Sequence, residues 1–80
     1  MTVIELGKKL REMYETTGAN KTTMIHLFGI IYADEIKTAG VTPAAIIKAA
    51  GMQPSYATEV NKGMNLSKYL ELKPEYKNQF

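Results

Sequence analysis

The chain has no cysteine and no tryptophan, a single histidine, and only three prolines among its 80 residues. Without cysteine there are no disulfide staples, no thiolate zinc sites and no thiol nucleophile, which suits a reducing, cytoplasmic setting, the expected location. No uninterrupted apolar run approaches the roughly 20 residues needed to cross a bilayer. The opening "MTVIELGKKLREMYE" alternates charged and apolar residues, unlike a signal peptide, so no membrane partner is expected. An excess of charge of one sign is also lacking, since the formal net charge is +2. That small excess is unevenly placed. Residues 1–40 carry five Lys/Arg against five Asp/Glu, whereas residues 41–80 carry five Lys against three Glu. The balance is compatible with nucleic acid but weaker than the basic footprint of most DNA-binding domains.

What is present is the composition of one small globular domain, 45% hydrophobic and 22% charged. Val3, Leu6, Leu10 and Met13 recur at three- and four-residue steps, which predicts a helix over about 3–16 with one apolar stripe. That stripe is expected to pack on the helices that follow; fewer than three heptads exist for a coiled-coil seam. Gly18 breaks this helix, and Asn20 or Thr22 can cap the next. The second segment, about 21–38, is apolar around most of its circumference, with Met24, Leu27, Phe28 and Ile31 on one flank and Ile25, Tyr32 and Ile36 on another. Such a helix belongs at the centre of the core or in a subunit contact, and Gly29 is a point where it is expected to bend. Thr42 followed by Pro43 starts a short third helix, about 43–50, that stops at Gly51. A fourth, about 54–62, is expected to stop at Gly63. Residues 64–73 are left as either a short helix or an extended piece. The organisation is thus a domain over 1–73 and a flexible tail over 74–80. Glycines at 7, 18, 29, 40 and 51 stand eleven apart, but the segments between them do not resemble one another, so no repeat is inferred.

The stretch "AAGMQPSYATEVNKG", residues 49–63, looks built for contact rather than packing. Two helices meeting at a steep angle need a turn residue tolerant of positive φ, an apolar plug after it, and complementary residues where they cross. Gly51 and Met52 fill the first two roles, and Ile46, Ile47 and Ala50 face Ala57 and Val60 for the third. This spacing resembles the helix-turn-helix of phage repressors, with an aliphatic residue, Val60, nine positions after the turn glycine. That pattern usually has a small residue four before the glycine and a branched one six after it. Ile47 and Ala57 reverse the two at similar summed volume. Over roughly residues 3–72, "MIHLFGIIYADEI" followed by "IIKAAGMQPSYATEVNKGMNLSKYL" resembles the small stand-alone bacterial helix-turn-helix-like domain proteins. The resemblance implies an all-α domain of four main helices and a nucleic-acid role.

On a helix over 54–62, Ser55, Thr58, Glu59 and Lys62 share one face by i, i+3, i+4, i+7 spacing. In major-groove docking Gln53 and Ser55 lie nearest base edges or backbone, Lys48, Lys62 and Lys68 hold phosphates, and the Tyr56 hydroxyl reaches a phosphate. Glu59 counts against this face, because a carboxylate there repels phosphate and can only accept from the cytosine amino group. The bland alternative is ordinary solvated surface. His26 has no acidic neighbour within one turn and reads as a satisfied, half-buried histidine rather than a ligand or base. Asp34 and Glu35, adjacent on a helix, diverge by about 100° and do not pair. Thr22 and Thr23 lack an activating base. No catalytic residue, metal ligand or cofactor site is expected.

The expected function is therefore that of a DNA-binding transcriptional regulator or accessory factor acting on double-stranded DNA. The surplus apolar surface of residues 24–36 is the candidate face for a homodimer, which would set two reading heads about 34 Å apart. The competing reading is a protein-interaction module that modulates a host or phage complex without binding DNA. Glu59, the low net charge, and Met52 and Met64, read as exposed, favour it.

Overall fold

The computed structural model describes residues 1–77 and 79–80, and among these the regular structure is entirely helical. The first helix, α1 (Val3–Tyr14), opens on a capping box. The Thr2 hydroxyl accepts from Glu5 N at 3.2 Å, and Thr2 N donates to Glu5 Oε1 at 2.9 Å. That backbone donation, with help from the Thr2 side chain, holds the Glu5 carboxyl below its ordinary value. Leu6, Leu10 and Met13 are buried, so the predicted stripe does face the core.

The long second helix, α2 (Lys21–Ala39), starts at Asn20, whose side chain accepts from Thr23 N at 2.9 Å, and closes at Gly40. Met24, Ile25, Phe28, Tyr32 and Ile36 are buried within the chain, which makes α2 the central helix its all-round apolar sequence called for. Leu27, Ile30 and Ile31 remain half-buried. Two shorter helices follow, α3 (Pro43–Ala50) and, after a 3₁₀ turn at Pro54–Tyr56, α4 (Ala57–Leu66). A single further turn, α5 (Pro74–Lys77), lies in the segment read as a tail, and the Tyr32 hydroxyl donates to the Phe80 carbonyl at 2.6 Å.

One expectation about glycine is overturned. Gly63 does not stop α4, which continues to Leu66, while α2 runs unbroken through Gly29. Both glycines are buried, and their Cα atoms face one another where α2 and α4 cross. A methyl on Gly29 would sit 2.5 Å from the Val60 carbonyl oxygen, and one on Gly63 would sit 3.0 Å from Gly29 Cα. The missing side chains let the backbones approach, and that approach is why glycine stands mid-helix despite costing about 1 kcal/mol of helix propensity. His26 meets Glu59 and Gly29 meets Gly63, so α2 and α4 run in the same sense, and just past α4 Ser67 and Leu70 line a shallow cavity with Ile30, Ile31, Ala33 and Asp34. On the other side α1 packs on α3, with Gly7 against Ala49. Ile46, Ile47 and Val60 are all buried and join the two pairs into one core.

Candidate nucleic-acid interface

The elbow between α3 and α4 begins with Thr42, whose hydroxyl accepts from Ala45 N at 3.2 Å, and Pro43 in the first turn. It ends α3 with a Schellman closure. Gly51 N donates to the Lys48 carbonyl and Met52 N to the Ile47 carbonyl, each at 3.1 Å, with Gly51 at φ 71°. Met52 then packs half-buried against the core that contains Ile47. The corner is braced from outside by Arg11, whose Nη1 lies 3.5 Å from the carbonyl oxygens of both Ala50 and Gly51. The chain turns through Gln53 and enters the 3₁₀ turn, and the first α-helical residue is Ala57 rather than Pro54. The helix-turn-helix geometry anticipated for residues 42–63 is present, with its second helix running three residues past Gly63.

Of the residues assigned to the interface, Lys48, Gln53, Ser55, Thr58, Lys62 and Lys68 are exposed. Tyr56 is half-buried: its ring lies 5.7 Å from that of Tyr14, and the two hydroxyls are 3.3 Å apart. Glu59 is the residue the structure moves off the expected face. Its carboxylate is turned onto α2, where Oε2 is hydrogen-bonded to His26 Nε2 and Oε1 accepts from Lys62 Nζ at 3.2 Å. The His26 bond first, and the Lys62 bond second, hold the Glu59 carboxyl below its ordinary value of 4.5. The Glu59 side chain is 23% exposed. His26 is thus half-buried and satisfied, but its partner comes from another helix and could not be seen by scanning its own turn.

With Glu59 withdrawn, the solvent side of α4 is Thr58, Asn61, Lys62 and Asn65, all exposed and again at i, i+3, i+4, i+7. Asn61 and Asn65 were missed by the reading of the sequence. Ending the helix at Gly63 removed Asn65, and centring the face on Glu59 rotated Asn61 out of view. The signal available was Val60, whose required inward direction places Thr58 and Asn61 outward. At the end of this helix and in the turn beyond it, the apolar Leu66, Tyr69 and Leu70 are also exposed.

An all-α domain with a glycine-closed elbow, a buried crossing and a polar outer helix is a helix-turn-helix-like protein. A family model described as HTH-like domain matches residues 2–73, and the chain belongs to that family. No curated protein and no solved structure matches it. Family membership points at a coarse level to a DNA-binding regulator. Among the described residues, no helix is long and apolar enough to cross a membrane.

Proposed function

We propose that this protein is a cytoplasmic DNA-binding regulator or accessory factor that docks α4 in the major groove of double-stranded DNA. The observation that carries the reading is the folding-away of Glu59 onto His26. It turns the one acidic residue of α4 toward α2, with its second carboxylate oxygen held by Lys62, and leaves hydroxyl and amide groups along the outer face. Asn side chains are suited to bidentate contact with adenine, Ser and Thr contact any base, and Lys contacts phosphate or guanine. Ser55 and Gln53 lead at the start of the helix, Thr58, Asn61 and Asn65 follow along it, and Lys48, Lys62 and Lys68 engage phosphates. Two copies paired through Leu27, Ile30 and Ile31, the half-buried part of the 24–36 surface of α2, would present two such helices to neighbouring half-sites. The test is retardation of random-sequence duplex at low salt. Lys62→Ala should weaken binding about uniformly across sequences and flatten the slope of log affinity against log salt by about one unit. Binding unchanged in Lys62→Glu would refute the assigned face.

A second reading is favoured by one observation. Leu66, Tyr69 and Leu70 are 41%, 86% and 45% exposed just beyond the polar face, an apolar cluster typical of protein contacts. If micromolar protein gives no retardation of any duplex, that cluster becomes the working surface and the protein is an interaction module.

A further inference from the structure

Three side chains from three elements meet at the end of the molecule where α2 and the second helix of the elbow both begin. Tyr14, in the last turn of α1, packs against Tyr56 of the 3₁₀ turn with their rings tilted by 56° and their hydroxyls 3.3 Å apart. Lys21, the first residue of α2, donates to the Tyr14 carbonyl at 3.1 Å, and its Nζ lies 4.5 Å from the centroid of the Tyr14 ring. Every group that holds Lys21 in place is neutral. Among the described residues its ammonium pairs with no carboxylate, in contrast to Lys9, Arg11 and Lys62, which each have an acidic partner.

The donor count follows from these contacts. An ammonium has three N–H donors, and one is used on the Tyr14 carbonyl. Two phenols that share one hydrogen bond spend one O–H proton between them and keep the other for an outside acceptor. The bond to Tyr14 also raises the Tyr56 pKa, which keeps the Tyr56 phenol in its donating form. Neither the first turn of α2 nor the 3₁₀ turn contains an acidic residue. The cluster therefore offers a fixed cation and a spare hydroxyl to an oxyanion with several acceptor oxygens.

We propose that Tyr14, Lys21 and Tyr56 form a seat for one backbone phosphate of duplex DNA, beside the groove that α4 enters. The proposal rests on the DNA-binding reading above and adds to it a contact outside the helix-turn-helix. Tyr56 immediately follows Ser55, so a phosphate on this seat lies at the leading end of the docked helix, fixing how deep that end goes. Tyr56 acts here jointly with Tyr14 rather than as a free side chain.

The experiment is fluorescence anisotropy of labelled random-sequence duplex titrated with the full chain over a range of salt. Lys21→Ala is expected to weaken binding on all sequences and to reduce the salt slope by about 0.9, the value for one phosphate contact. Tyr14→Phe and Tyr56→Phe each remove a neutral donor, so roughly two- to tenfold weaker binding is expected with the slope unchanged. Lys21→Arg, which keeps the charge, should retain the wild-type slope and guards against misfolding of the alanine variant. If Lys21→Ala, Lys21→Arg and wild type share one slope while Lys62→Ala lowers it, the seat is refuted and the groove reading stands. If wild type binds no duplex at micromolar concentration, both are refuted. Inorganic phosphate at matched ionic strength should leave the complex intact at millimolar concentration. Saturable displacement by phosphate alone would make this a free-anion site and overturn the assignment to duplex.

Discussion

Replacing Gly63 by alanine sets two effects of opposite sign against each other. Gly63 is interior to α4, and on an isolated helix alanine in place of glycine adds about 1 kcal/mol of stability. In this fold the added methyl stands 3.0 Å from Gly29 Cα, 3.1 Å from the His26 carbonyl carbon, and closer still to the His26 carbonyl oxygen. All three are backbone atoms of α2, so no rotamer change relieves the contact. The helices must separate by roughly 0.5–1 Å to restore ordinary carbon–carbon distances. Overpacking of this kind costs about 1–3 kcal/mol, and the upper end applies where backbone rather than a side-chain tip must move. The balance is a loss of about 2 kcal/mol, which for a domain of this size lowers the melting temperature by roughly 8–16 °C. Thermal unfolding followed by far-ultraviolet circular dichroism, with urea titration for the free energy, measures it. Separation of the helices should also loosen the His26–Glu59 contact and let the Glu59 carboxyl return toward 4.5. A variant that melts higher than wild type, as propensity alone predicts, would show that α2 and α4 do not cross at these glycines.

Other outcomes follow from the same contacts. Because the folded Glu59 titrates below 4.5, its stabilising contribution is fully present above that pH and is lost as pH falls through the folded value. Glu59→Gln is therefore expected to melt below wild type at neutral pH and to converge with it in acid; a constant difference across that range would refute the pairing with His26. Ile47 is 1% exposed, so Ile47→Ala should cost about 2–5 kcal/mol in urea unfolding, with part recovered by adding Ala57→Val if the two residues fill one space. Thr2→Ala removes the α1 cap and should cost about 1 kcal/mol, with faster amide exchange confined to the first turn of α1.

Much of the fold was legible because local signals and burial agreed. Thr42–Pro43 and Gly51 marked both ends of α3 to the residue, and the Leu6, Leu10 and Met13 stripe pointed inward as its spacing required. The glycines misled for a physical reason. Gly18, Gly40 and Gly51 take positive φ between helices, which is the role a single sequence suggests for any glycine after an apolar run. Gly29 and Gly63 have the opposite role, since each is needed for what it lacks on a surface supplied by the other. That requirement is pairwise and distant in sequence, so neither residue reveals it alone. Glu59 was misplaced for the same reason: helical spacing put it beside Ser55 and Thr58, and only the position of α2 shows that this edge of α4 is covered. The Tyr14–Tyr56 pair, 42 residues apart, was equally out of reach.

These misplacements share one cause, the closeness of α2 to α4. With ordinary side chains at positions 29 and 63 the helices would stand farther apart, and the His26–Glu59 contact would be looser. A Glu59 carboxylate held less firmly on α2 is freer to turn to the outer surface of α4, where it would repel phosphate and confine base contact to cytosine. The glycine crossing thus does more than add packing: it determines which edge of α4 is buried and so which residues are left to face a partner. Thr58, Asn61, Lys62 and Asn65 form the outer face because Val60 and Gly63 are fixed inward, and Glu59, between the two edges, is drawn to the inner one by an imidazole. An outer face from which Glu59 is turned away thus depends in part on two missing side chains on its far side.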